Sequence, residues 1–304
     1  MTDNRRAMLL MLAFVSLWAA IEALAGHVLH HYSAYQVVWT RYAVHLALML
    51  LVWGWREPGS LWRTRRPVFQ FTRSLLMLGM PASWIVGMQL GVHAATLMSI
   101  FWLSPLFIIA LARLFLRERV PAALWAVTAV ACAGSFLLHE PGDLSPVRLL
   151  VFPLGMALCF SLYVVMTRSL RTETTRTNLF YTALGVFLVL TPFMPGLWIT
   201  PSPQDMMAMV GVGVLGFVAL AALDRMAAAA AVSVSAPFAY MQIAATVAIA
   251  FVAGMEQGLS ARRTALGLLL IVGAAFYLWV REPRPEGSRG RGSAAGSMKF
   301  SKEQ

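Results

Sequence analysis

Charged side chains are scarce in this chain: 12% of its 304 residues are Asp, Glu, Lys or Arg, and 59% are hydrophobic. A soluble domain has about 25% charged and about 45–50% apolar residues, so water is excluded as the main solvent here. The mean hydropathy of +0.71 agrees. Acidic groups are rarer still, 13 against 24 Lys and Arg, which leaves a formal charge of +11. The arginines fall in short loops and near the C-terminus instead of tracking one groove or helix face, which argues against a nucleic-acid partner. Cysteine is limited to Cys132 and Cys159, both within apolar stretches, so buried thiols are expected and a disulfide framework is not.

Several chemical signatures are missing as well. No P-loop or other nucleotide cradle is present, which removes support for an ATP-driven pump. No His/Asp or His/Glu set has catalytic spacing, so a membrane-embedded enzyme would lack its groups. His27 and His31 stand at i, i+4, a spacing that can ligate a divalent metal, but no further ligand accompanies them. No metal and no cofactor are therefore expected.

What the chain has is a series of apolar runs from Met8 to Val280, each near the roughly 20 residues that cross about 30 Å of hydrocarbon. Charge clusters and Pro/Gly turns place helices near 8–29, 34–55, 74–92, 95–116, 122–139, 148–167, 178–198, 205–223, 227–254 and 264–280. Arg5 and Arg6 before the first run resemble a secretory signal. That run is too long for one, contains Glu22 and lacks an A-x-A-like cleavage site, so it reads as a retained helix. Turns such as Glu140-Pro-Gly-Asp143 and Thr200-Pro-Ser-Pro-Gln-Asp205 leave no room for a soluble module. Cytoplasmic loops collect Lys and Arg. With the N-terminus inside, the inner loops take Arg56, Arg63, Arg65, Arg66, Arg73, Arg117, Arg119, Arg168, Arg171, Arg176 and Arg225, and the outer loops only Arg148, Arg262 and Arg263. Both termini are expected in the cytoplasm. The segment from Glu286 to Gln304, rich in Gly, Ser and Arg, reads as a disordered tail.

Helices 4 and 5 run from Ala94-Ala-Thr-Leu-Met-Ser-Ile-Phe-Trp-Leu-Ser-Pro-Leu-Phe107 through Arg117-Glu118-Arg119 into an apolar helix. Helices 9 and 10 repeat the plan from Ala227 through Ser235-Ala-Pro-Phe-Ala-Tyr240 and Gly254-Met-Glu256. Five helices per half is an odd number, so the second copy must enter the membrane from the opposite side, as in many secondary transporters.

Gln36-Val-Val-Trp-Thr-Arg41, Ser104-Pro-Leu-Phe107 with Phe115-Leu-Arg-Glu-Arg119, and Ala236-Pro-Phe-Ala-Tyr240 with Glu256 together resemble the drug/metabolite transporter superfamily, specifically its EamA-type bacterial members. Met166-Thr-Arg168 and Arg281-Glu282 look most like the branch labelled S-adenosylmethionine uptake transporters. Arg117 stands where the family usually has Gly. The resemblance implies an all-α integral membrane protein of ten transmembrane helices, arranged as two inverted five-helix repeats. Its expected divisions are a cytoplasmic N-terminus over 1–7, repeats over 8–139 and 148–283, and a tail over 284–304. The expected activity is secondary transport of a small metabolite across the bacterial inner membrane by alternating access. A membrane-embedded enzyme and a non-transporting receptor or scaffold are the rival readings.

A charge at the bilayer centre costs about 2.5–3.5 kcal/mol on insertion scales, so ionisable groups there face a cavity or a partner. Glu22 on helix 1 and Arg41 on helix 2 lie at matching depths, and either pair with each other or jointly line a pocket mouth. Trp84, Gln89, Trp102, Ser104, Tyr163, Tyr240 and Gln242 add indole faces, amides and hydroxyls suited to an amino-acid-like or nucleoside-like substrate, S-adenosylmethionine among the options. Pro81, Pro105 and Pro237 are expected to interrupt helices 3, 4 and 9 and to free carbonyls near the site. Arg113 is expected to snorkel, and Glu118 and Glu256 to cap helix ends. The partners are a small-molecule substrate and the lipid bilayer. A coupling proton, with His45 and His93 as its relay, and a homodimer are open alternatives.

Overall fold

Structure follows from solvent here: in lipid, backbone N–H and C=O groups must be satisfied within the chain, which leaves helices as the economical spanning element. The computed structural model describes residues 2–57, 59–139, 146–254 and 260–282, and no strand occurs among them. Expectations placed on the Glu140-Pro-Gly-Asp143 turn, on Glu256 and on the tail lie outside the described residues. The helices are α1 (Asp3–Val28), α2 (Ala34–Met49, continued by a π turn to Gly54), α3 (Gly59–Trp62), α4 (Pro67–Gln89), α5 (Ala94–Phe101), α6 (Ser104–Phe115), α7 (Ala122–Leu138), α8 (Val151–Ser169), α9 (Thr175–Leu190), α10 (Met194–Leu197), α11 (Pro203–Ala229), α12 (Val232–Ser235), α13 (Met241–Val252) and α14 (Ala261–Arg281). Ser33, Thr174, Ser202 and Ser260 cap α2, α9, α11 and α14, each hydroxyl accepting a backbone N–H of the first turn.

By length and apolarity, eight helices among the described residues can cross a membrane. Helix α7 is apolar but only 17 residues long. Helix α4 has 23 residues and is not one of the eight; it carries Gln70 and Arg73. It begins at Pro67, about two turns earlier than the sequence suggested, so Arg73 is not a loop arginine but a buried helical residue, 1% exposed. Helix α4 also runs unbroken through Pro81, contrary to expectation. One proline removes a single ladder hydrogen bond, a loss that neighbouring structure in a membrane bundle can absorb. The other two prolines do mark breaks. Trp102 and Leu103 separate α5 from α6, and a 3₁₀ stretch over Ala236–Tyr240 separates α12 from α13.

Helix packing joins distant parts of the chain. Helix α1 lies along α11 and against α13; α4 lies along α8 and α9; α2 packs on α11 and α9; α6 packs on α8; α7 packs on α14. Where α7 crosses α14, Gly134 and Gly267 let the backbones meet: a Cβ on either would sit 2.9 Å from the other's carbonyl oxygen. The two ends of the described chain also meet, since an Arg5 guanidinium nitrogen donates to the Glu282 carbonyl at 3.0 Å. Leu51, Val68, Leu114, Phe251, Val252 and Leu269 point outward, as a lipid-facing surface requires. Arg117 adopts φ 54°, the left-handed region in which glycine is at no disadvantage.

Candidate substrate site

Helix α1 passes the middle of the bundle with Trp18 and Glu22 one turn apart, and α2 runs beside it with Arg41 two turns from its Ser33 cap. Glu22, Arg41, Pro81 and Trp84 line one cavity of ≈ 390 Å³, closed on its far wall by Met156 of α8 and Val212 of α11. The cavity continues past Ala25, Leu29 and Ala34, towards the turn between α1 and α2. Its walls are otherwise apolar, with Met80, Ile85 and Met98 among them.

Glu22 and Arg41 share this cavity without pairing. The half-buried Glu22 carboxylate accepts a hydrogen bond from Gln242 Nε2 at 2.9 Å. Arg41 is 8% exposed, and its guanidinium carbon lies 4.5 Å from the Trp18 ring centroid and 5.2 Å from that of Tyr42. Nε and Nη2 of Arg41 have no hydrogen-bond partner. Gly216 of α11 creates the space the guanidinium occupies, because a Cβ there would fall 2.6 Å from Arg41 Nε. Glu22 also faces a second, smaller cavity of ≈ 100 Å³ with Trp102, His139 and Thr246. Trp102 Nε1 and His139 Nδ1 are buried without partners.

The remaining sequence candidates divide. Gln242 joins the site through Glu22. Tyr240 does not face either cavity: its hydroxyl donates at 2.9 Å to the Trp102 carbonyl, which the α5/α6 break leaves free. Ser104 is buried beside that break, where its carbonyl accepts the Ser161 hydroxyl at 3.0 Å. Tyr163 lies beneath Arg73, with its ring centroid 5.0 Å from the guanidinium carbon. Gln89 is the exposed last residue of α4 and reaches neither cavity, because the helix starts earlier and ends sooner than expected. His45 is fully buried and packs edge-on against Phe217 at 5.0 Å, whereas His93 is exposed.

Residues 5–139 match the EamA-like transporter family. Among the chain's relatives, an S-adenosylmethionine uptake transporter of Rickettsia felis is 25% identical over 78% of this chain and 80% of its own length. One of the same name from Rickettsia prowazekii is 25% identical over 75% and 76%. A riboflavin transporter of Rhizobium johnstonii is 33% identical over 44% of this chain and 43% of its own. A solved crystal structure shares the fold with TM-score 0.77 at 20% identity, covering 88% of this chain and 94% of the other. The family match and the relatives' names point to a transporter rather than an enzyme. The protein is a multi-pass membrane protein, and its bacterial relatives imply the inner membrane. The EamA-like segment supplies Glu22, Arg41 and Trp84, while Met156 and Val212 come from beyond it.

A polar cluster outside the cavity escaped the sequence reading. Arg73 donates to Thr167 Oγ1 at 3.0 Å, to Gln70 Oε1 at 3.0 Å, to the Asn178 carbonyl at 2.6 Å and to Thr182 Oγ1 at 3.0 Å. Asn178 in turn accepts from Gln70 Nε2 at 2.6 Å and donates to the buried Asp224 at 2.8 Å. Its signal was present: Gln70, Arg73 and Ser74 fall on one helical face, as do Asn178 and Thr182. Nearby, Glu118 caps α12, accepting the N–H groups of Val232 and Ser233 at 3.1 and 3.0 Å and the Ser233 hydroxyl at 2.6 Å.

Proposed function

We propose that the protein is a secondary carrier that moves a small metabolite across the membrane by alternating access, with the Glu22/Arg41 cavity as its substrate site. The observation that carries this reading is the cavity itself. It extends toward the turn between α1 and α2 and holds a buried cation without an ion-pair partner among the described residues. Hydrogen bonds join the two halves of the chain at the opposite end of the bundle as well as beside that turn, where Tyr32 meets Asp205 and Gln36 meets Ile199. The contacts at the opposite end are Arg5 to Glu282, Arg176 to Glu57 at 2.7 Å, the Arg73 cluster and the Glu118 cap. Opening toward the other side requires those bonds to part.

Ten crossings in two inverted five-helix repeats account for the packing. Exchange of the halves maps the α1/α11 contact onto α8/α4, α2/α11 onto α9/α4, and α1/α13 onto α8/α6, while α2/α9 and α7/α14 map onto themselves. The breaks before Pro105 and around Pro237 fall in corresponding helices. An even number of crossings brings Arg5 and Glu282 to one face, and the arginine-rich loops make that face cytoplasmic. The names of the relatives favour S-adenosylmethionine or a flat-ringed metabolite such as riboflavin as cargo.

Counterflow in proteoliposomes tests the reading, with labelled amino acids, nucleosides, riboflavin and S-adenosylmethionine. Trans-stimulated exchange of at least one is expected, with Glu22→Gln and Arg41→Gln each abolishing it while the protein remains inserted. Absence of exchange across the panel, or normal kinetics in both variants, overturns it.

A further inference from the structure

Deepening that reading, and resting on it for the location of the site, the geometry points to a zwitterionic substrate whose carboxylate is held by Arg41 and whose cationic centre faces Glu22. The argument begins with what a guanidinium needs. Arg cannot shed its proton, so burial leaves the charge in place, and a charge removed from water requires a counter-charge or strong hydrogen bonds. Arg41 is 8% exposed and forms no ion pair among the described residues. The Trp18 and Tyr42 rings cover it at 4.5 and 5.2 Å, which attracts the cation but satisfies none of its N–H groups. Nε and Nη2 are left without partners. Two N–H groups on one planar fork match the two oxygens of a carboxylate.

Charge balance within the cavity specifies the rest of the substrate. Glu22 lines the same cavity, does not pair with Arg41, and accepts a hydrogen bond from Gln242 at 2.9 Å. A carboxylate offers about four lone-pair sites, so Gln242 orients it without saturating it. Carrying both charges unpaired in a largely apolar chamber is costly for the empty protein, and a ligand with one charge would leave the other uncompensated. A molecule with a carboxylate at one end and an ammonium or sulfonium centre at the other satisfies both. The walls between the two residues, Met80, Pro81, Trp84 and Met98, suit an apolar or flat body. The cavity of ≈ 390 Å³ is large enough for an amino-acid derivative. Gly216 is part of the device, because any side chain there would displace the Arg41 fork.

Equilibrium binding to the full chain in nanodiscs tests this separately from transport. The probes are L-phenylalanine, L-methionine and S-adenosylmethionine, each with its methyl ester and its decarboxylated form, the N-acetyl derivatives of the two amino acids, and riboflavin as an uncharged ring. At least one zwitterion should bind at least about ten-fold tighter than its ester and its decarboxylated form, the size expected for a charge-assisted hydrogen bond. Arg41→Gln should erase the acid-to-ester ratio, and Arg41→Lys, which keeps the charge but not the fork, should keep part of it, which separates charge recognition from a folding defect. Glu22→Gln should erase the preference for a free amine over its N-acetyl form. Equal binding of acid and ester, an unchanged ratio in Arg41→Gln, or riboflavin binding with no zwitterion bound overturns the inference. Zwitterion discrimination without counterflow would overturn the carrier reading and leave this one standing.

Discussion

Two buried arginines, both on helices of the first half, have different settings. Arg73 makes four hydrogen bonds through Nη1 and Nη2 and is linked through Asn178 to Asp224, which leaves only its buried Nε without a partner. Arg41 lines a cavity and keeps two buried nitrogens, Nε and Nη2, without partners. The first setting is structural. Removing one member of a buried charged network typically costs about 3–5 kcal/mol, because the partners stay buried without compensation. Arg73→Met should therefore lower the thermal midpoint of the purified protein sharply, and Arg73→Met combined with Asp224→Asn should recover part of the loss. No recovery in the double variant would show that the two charges are not energetically linked. The sequence made Glu22 and Arg41 legible because an isolated charge in an apolar run stands out. It hid Arg73, which sits a few residues past Arg63, Arg65 and Arg66 and looks like one more loop cation. Whether Glu22 and Arg41 pair was likewise beyond the sequence, since depth fixes their level in the bilayer but not the direction of either side chain.

At the scale of helices, the positions of spans were legible from apolar runs and Pro/Gly turns, and their ends were not. Helix α4 starts inside a region that reads as a basic loop, and α11 extends to Ala229 with Asp224 buried, because neighbouring side chains satisfy the polar residues and the helix continues. Pro105 and Pro237 mark breaks and Pro81 does not, a distinction set by what surrounds each proline. Close helix contacts depend on residues too small to attract notice. A side chain at Gly267 would meet the Gly134 carbonyl at 2.9 Å and Leu138 Cγ at 2.7 Å. Overpacking of this kind costs about 1–3 kcal/mol. Gly267→Val should lower the thermal midpoint while leaving substrate affinity unchanged, as α7 and α14 do not line the main cavity. A weakened affinity with an unchanged midpoint would contradict that separation.

At the scale of the molecule, helix partnerships run chiefly between the halves: α1 with α11 and α13, α4 with α8 and α9, α2 with α9 and α11, and α7 with α14. Neither half keeps its buried faces covered by its own helices. Residues 1–139 produced alone should therefore be degraded or aggregate. Produced together with residues 146–304 as a second polypeptide, they should recover in the membrane as a stable complex, read by co-purification on a single affinity tag. Stable accumulation of either fragment alone would contradict the packing. Since the halves hold each other through interlocked surfaces, the peptide link between them matters chiefly for stoichiometry. In this respect the chain behaves as a heterodimer whose subunits are translated in tandem, and each subunit is free to acquire its own sequence as long as the shared seam still fits.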